Sequence, residues 1–140
     1  MNTNSDNLLD IKNIPKLEGV RWLYADNWYD WVLSGACEYQ GKKYYGICFD
    51  ESHDENSSWY RRYYLVDLSK EVWQYEEERH AFFVEKVGSH FEFNIESQSR
   101  KGSDHLKPSQ NWHEFYEKYP TSDRINDYAK KFNVVGWFEC

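Results

Sequence analysis

The sequence predicts an α+β domain with a mostly antiparallel, twisted sheet, and three observations carry that expectation. Short β-prone runs are separated by turn residues, one long helical pattern spans about residues 69–87, and one or two shorter helical patterns follow near the C-terminus. The 140 residues suffice for a single domain. A chain of this size removes about 68% of its unfolded surface from water without a metal or disulfide lattice.

Residues 1–18 read as a partly disordered lead-in, with Leu8, Leu9, Ile11 and Ile14 to dock it before Pro15 interrupts any helix, which leaves 19–140 as the domain. From Val20 to Trp31 the chain holds three Trp and two Tyr around Asp26-Asn27, a pair suited to a turn between extended pieces. Leu33–Tyr39 and Lys43–Phe49, joined through Gln40-Gly41-Lys42, form a hairpin. Either two-residue loop puts Cys37 and Cys48 on one face but never opposite each other, with Tyr44 or Gly46 facing Cys37, so no disulfide joins them.

Asp50–Ser58 is acidic and polar, a loop by composition. Trp59–Leu68 is apolar on both faces near its end and reads as an interior strand. Ser69 then caps the long helix, which Gly88 closes. His90–Glu96 alternates, with Phe91, Phe93 and Ile95 inward and His90, Glu92, Asn94 and Glu96 outward, as a half-buried strand does. A polar loop follows over Ser97–Ser109. Trp112, Phe115, Tyr116 and Tyr119 share a short helix face ended by Pro120, Ile125, Tyr128 and Phe132 suit a second, and Val134–Glu139 completes the sheet.

Function classes are bounded by charge and cysteine use. A net charge of −7 and a pI near 5.2 disfavour direct nucleic-acid or anionic-membrane binding. No apolar run reaches the roughly 18 residues of a spanning helix, and the N-terminal residues lack the basic-then-apolar pattern of a secretory signal. Three cysteines without metal or CxxC spacing predict reduced thiols and a cytoplasmic protein. His53, His90, His105 and His113 show no zinc spacing, and the seven scattered glycines form no phosphate-binding loop, so neither metal nor cofactor is expected.

Two features depart from an ordinary domain. The first is 7 Trp, 12 Tyr and 8 Phe, 19% of the chain. Each ring fills ~150–250 Å² when buried, so the surplus is expected to reach the surface as a recognition patch. The second is a polar pair inside the apolar stripe of the long helix. Glu76 and His80 fall in one arc of about 120° with Val72, Trp73, Phe83, Val84 and Val87, four residues apart, and they are the only candidates for acid–base chemistry. The alternative is a polar pair that satisfies itself within the core.

Three functions follow in order. The first is a non-enzymatic binding protein that docks on and inhibits or neutralises a basic protein target, as small acidic inhibitors, immunity proteins and counter-defence proteins do. Trp22, Trp28, Trp31 and Trp59 are its anchors, and Asp26, Asp30, Asp50, Glu51, Asp54 and Glu55 supply steering charge. The second is a binder of a small nucleotide-like anion, using Arg61 and Arg62 with Tyr63 and Tyr64, and a loop carrying Arg100, Lys101 and Lys107 as a lid. The third is a hydrolase built on Glu76 and His80.

Overall fold

The computed structural model describes residues 11–53, 59–101, 109–120 and 124–140. Five strands, β1 (Arg21–Trp28), β2 (Val32–Tyr39), β3 (Lys42–His53), β4 (Trp59–Asp67) and β5 (Asn133–Glu139), form one sheet in chain order. Every neighbouring pair is antiparallel. Helices α1 (Lys70–Lys86), α2 (Ser109–Lys118) and α3 (Arg124–Lys131) fall between β4 and β5 in the chain, which gives the α+β class the sequence predicts. Among the described residues no helix is long and apolar enough to cross a membrane.

Local chemistry accounts for the elements. Gln40 and Gly41 both take positive φ (52° and 79°), the backbone of a two-residue hairpin turn whose twist matches its strands. The register this sets places Cys37 opposite Tyr44, as the sequence arithmetic requires, and all three cysteines are free. The Ser69 hydroxyl accepts from the Val72 N–H at 3.3 Å to start α1. At the other end the N–H groups of Val87 and Gly88 both reach the Phe83 carbonyl, and Gly88, at φ 131°, then turns the chain out of the helix.

β4 is interior, with Tyr63 and Leu65 on one face and Tyr64 and Val66 on the other, all buried. Each face therefore has its own core. One gathers Trp22, Cys37, Tyr63, Leu65, Phe93 and Phe138; the other sets Tyr45, Ile47, Tyr64 and Val66 against Trp73 and Tyr128 from the helices. A third cluster, Phe83, Val87 and Phe115, joins α1 to α2.

The ring surplus is absorbed by these three clusters, contrary to the expected surface patch. Among the described side chains only Tyr29, Tyr75 and Tyr116 are exposed large aromatics. A sheet covered on both faces has more interior positions than a sheet packed on one face.

Three local expectations are corrected. Asp26-Asn27 is not a turn: β1 runs through it with a register shift and the chain reverses at Tyr29–Trp31, where Asp30 takes φ 62°. The shift accompanies Asp26 turning its carboxylate inward, to only 4% exposure. Asp50–His53 is strand rather than loop, because Asp50 lies opposite Arg62 and Glu51 opposite Arg61, and opposite charges favour cross-strand pairing. Residues 90–96 alternate but make only isolated bridges, running along the edge of β1 through Ala25 N–H to Phe91 O (2.8 Å) and Phe93 N–H to Leu23 O (3.0 Å). His90, expected on the wet side, is buried. Gln98 extends this edge cover with its side-chain amide, accepting from the Trp22 N–H (2.7 Å) and donating to the Trp22 carbonyl (3.0 Å). Residues 11–18, the described part of the lead-in, lie along β5: Leu17 is buried, its N–H donates to Trp137 O, and the Trp137 N–H donates to Pro15 O.

Candidate binding cleft

Two constellations of charged and aromatic residues lie at different places in the fold. The first surrounds Glu76, which is 1% exposed on the inner face of α1. Its carboxylate receives Arg124 Nε (2.7 Å) and Nη2 (2.9 Å) and the Tyr128 hydroxyl (2.5 Å), all from α3. Arg124 Nη2 also donates to Asp26 at 2.7 Å, and the same Asp26 accepts from Arg79 and from the Tyr45 hydroxyl. Two carboxylates and two guanidinium groups cancel, and each carboxylate oxygen has a donor. Burial pushes the Glu76 carboxyl above its ordinary range, more than Arg124 and Tyr128 pull it down. Burial works against the Arg124 charge too, but the bond to Glu76 and the Asp26 and Glu76 charges outweigh it and raise its pKa.

His80 does not pair with Glu76. Its ring lies flat on Tyr24 (centroids 3.6 Å, planes 8° apart), and its Nε2 stands 3.7 Å from Glu92, beyond hydrogen-bond reach. Burial lowers its pKa to about 4 despite the Glu92 charge. The hollow beside His80, Asp26 and Arg79 holds about 10 Å³ and excludes Glu76, scarcely space for one water and none for a substrate. Glu76 and His80 are therefore brought to one interior but not to one another, and they form no acid–base pair. Among the described residues no group of His, Cys, Asp and Glu is arranged to hold a metal ion.

The second constellation is open. A cleft of about 520 Å³, within the roughly 300–1,000 Å³ of ligand sites, is lined by Asp30, Trp31, Glu51, Tyr60, Arg61 and Cys140. It lies between the β1–β2 turn and the ends of β3 and β4, where these strands run on past the last β2 pairing at Ser34–Ile47. Arg61 organises it. Buried to 6% exposure, its Nη1 donates to the carbonyls of Trp31 (2.9 Å) and Val32 (3.4 Å) and its Nη2 to that of Tyr29 (2.6 Å), while Nε meets Glu51 at 3.3 Å. The Tyr63 hydroxyl adds a second donor to Val32 O at 2.5 Å. These bonds satisfy carbonyls of the turn, where the Trp31 carbonyl also accepts from the Tyr29 N–H at 3.0 Å. At the cleft floor the Cys140 sulfur accepts the indole N–H groups of Trp22 (3.3 Å) and Trp31 (3.2 Å).

The sequence-predicted residues separate accordingly. Trp31, Asp30 and Glu51 meet at the cleft, with exposed Tyr29 beside them. Trp22 is 2% exposed, and its face packs on Tyr63 and Phe138, so it cannot anchor a partner. Trp28 is half-buried against Phe91 and covered by Arg100 at 4.3 Å. Asp26 is spent in the buried network and Asp50 faces Arg62 at 3.7 Å. Arg62 also meets Glu139 and lies over Tyr60 and Trp137, and Tyr63 and Tyr64 are buried, so no stacked anion site forms from residues 61–64. Lys101 is exposed. Asp54, Glu55, Lys107 and the side chain of Trp59 lie outside the described residues. Sequence reasoning missed Cys140 and Tyr60 as cleft residues, and no local pattern marks either. No protein family model, curated protein or solved structure matches this chain.

Proposed function

We propose that this chain is a non-enzymatic, cytoplasmic binding protein that docks on a protein partner through the cleft end of its sheet and thereby inhibits or neutralises that partner. The carrying observation is the juxtaposition of Tyr29, Asp30 and Trp31 on one turn beside an open cleft with Glu51 across it. Aromatic rings at such a rim give desolvated contact area, and carboxylates beside them steer a basic surface toward it, an effect the net charge of −7 reinforces. Three free cysteines agree with a reducing compartment.

The small-anion reading has less support. Every nitrogen of Arg61 already faces an acceptor, Glu51 being one of them, and Asp30, unpaired among the described residues, repels an anion at the same cleft. A hydrolase on Glu76 and His80 has no supporting geometry.

A photo-cross-linking amino acid in place of Tyr29 tests the proposal. Tyr29 is 69% exposed and Tyr75, on α1, is a 41% exposed control. The expected result is one adduct of defined mass from position 29, suppressed by excess unlabelled protein and absent from position 75. Adducts from position 75 alone, or none from either, overturn it.

A further inference from the structure

We infer that the group the cleft receives is an arginine side chain projecting from a basic partner; this rests on the docking function proposed above and names the chemistry of its partner. Two unmatched features sit at adjacent positions of one turn. The first is the Trp31 ring, which touches Trp28 (centroids 5.3 Å) and Phe93 (5.7 Å) but carries no cation among the described residues. Three other tryptophans already carry a cation over the ring: Arg100 over Trp28 at 4.3 Å, Lys43 over Trp73 at 4.9 Å, and Arg62 over Trp137 at 5.4 Å. Among the described residues none lies over Trp31, although it lines the open cleft. The second is Asp30. The carboxylates of Asp26, Asp50 and Asp67 each have a basic partner, whereas Asp30, exposed at the turn tip, has none among the described residues.

The remaining charge points the same way. Arg61 and Glu51 neutralise each other at 3.3 Å, which leaves Asp30 to set the sign of the cleft. A planar guanidinium suits this combination better than an ammonium does, because it stacks on an indole and presents paired N–H groups to a carboxylate at its edge. The turn is held in place for such a contact: its carbonyls are tied down by Arg61 and Tyr63, and the Trp31 indole N–H by Cys140. Little order then remains to be acquired on binding.

The Cys140 thiol supplies a built-in reporter, since it lines the cleft and is exposed while Cys37 is fully buried. The test measures alkylation rates at each cysteine by peptide mass spectrometry, with the blocked tripeptide Gly-Arg-Gly at millimolar concentration. Its lysine, citrulline and glutamate counterparts are the comparisons. The arginine peptide is expected to slow Cys140 alkylation at least threefold, the lysine peptide less, and citrulline and glutamate not at all. Asp30→Asn, a residue type that tolerates the same positive φ, is expected to abolish the protection, and Asp50→Asn to retain it. Equal protection by citrulline or glutamate, no protection by arginine, or full protection in Asp30→Asn overturns the inference. A partner that still cross-links at position 29 but is not displaced by the arginine peptide would leave the docking function standing and remove this one; loss of the cross-link itself removes the docking function.

Discussion

The buried network under α1 and α3 and the cleft at the β1–β2 turn are made of the same residue types, and they differ in what is left over. In the network, Asp26, Glu76, Arg79 and Arg124 cancel in charge, two tyrosine hydroxyls fill the remaining acceptor positions, and the adjoining hollow is about 10 Å³. In the cleft, Arg61 is buried to 6% exposure, but its Nη donors go to backbone carbonyls and its Nε to Glu51, so Asp30 is unmatched beside about 520 Å³ of open space. Carboxylate, guanidinium and ring together do not indicate function. Unspent valence next to empty volume does. The network holds four segments, β1, β3, α1 and α3, in one place, and the cleft is what that scaffold leaves available.

Breaking the network should cost most. Arg124→Leu strands the Glu76 carboxylate in the interior, removes one of the two guanidinium partners of Asp26, and is expected to lower stability by about 3–5 kcal/mol in urea denaturation, a large part of what a domain has. The double variant Arg124→Leu with Glu76→Leu restores neutrality, leaving Asp26 with Arg79, and should cost less than the single change.

At the cleft, Arg61→Met removes the donors to the Tyr29, Trp31 and Val32 carbonyls. About 3 kcal/mol of stability should go with it, together with ordered geometry at the turn, read from the thermal midpoint and the Trp31 indole resonance. A smaller effect sharpens the contrast on the network side. Because burial holds the His80 pKa near 4, below the ordinary 6.5, the folded state takes up its proton later than the unfolded chain. Stability from this residue is complete above pH 6.5 and is lost as pH falls from 6.5 toward 4. His80→Phe, which keeps the stack on Tyr24, should flatten that decline by on the order of 2 kcal/mol relative to the parent, measured by denaturation across pH. Asp30→Asn should change stability by no more than about 0.5 kcal/mol, because the carboxylate serves nothing in the fold.

Local chemistry was legible in the sequence and long-range pairing was not. The Gln40-Gly41 hairpin, the Ser69 and Gly88 ends of α1 and the interior character of β4 follow from residues within a turn or a strand of each other. Glu76 was visible as a polar residue in an apolar arc, but its partner Arg124 lies 48 residues away and nothing local couples them. His80 was assigned to Glu76 by spacing, whereas Tyr24 and Glu92 occupy its two sides. Residues 90–96 kept the alternation of a strand because their phenylalanines do face inward, while the ladder they join is an edge. Trp31, Glu51 and Arg61 were each singled out from sequence, in two different functions; their meeting depends on β3 and β4 continuing past β2, a register that a composition resembling a loop concealed.

The most direct measurement is the indole N–H region of the proton–nitrogen spectrum, where the seven tryptophans each give one signal. Titration with the arginine tripeptide should move the signals of Trp31 and Trp22, whose N–H groups meet at the Cys140 sulfur, and leave those of Trp73 in α1 and Trp112 in α2 unchanged. Shifts confined to Trp73 and Trp112, or no shift at saturating peptide, would contradict the assignment of binding to the cleft.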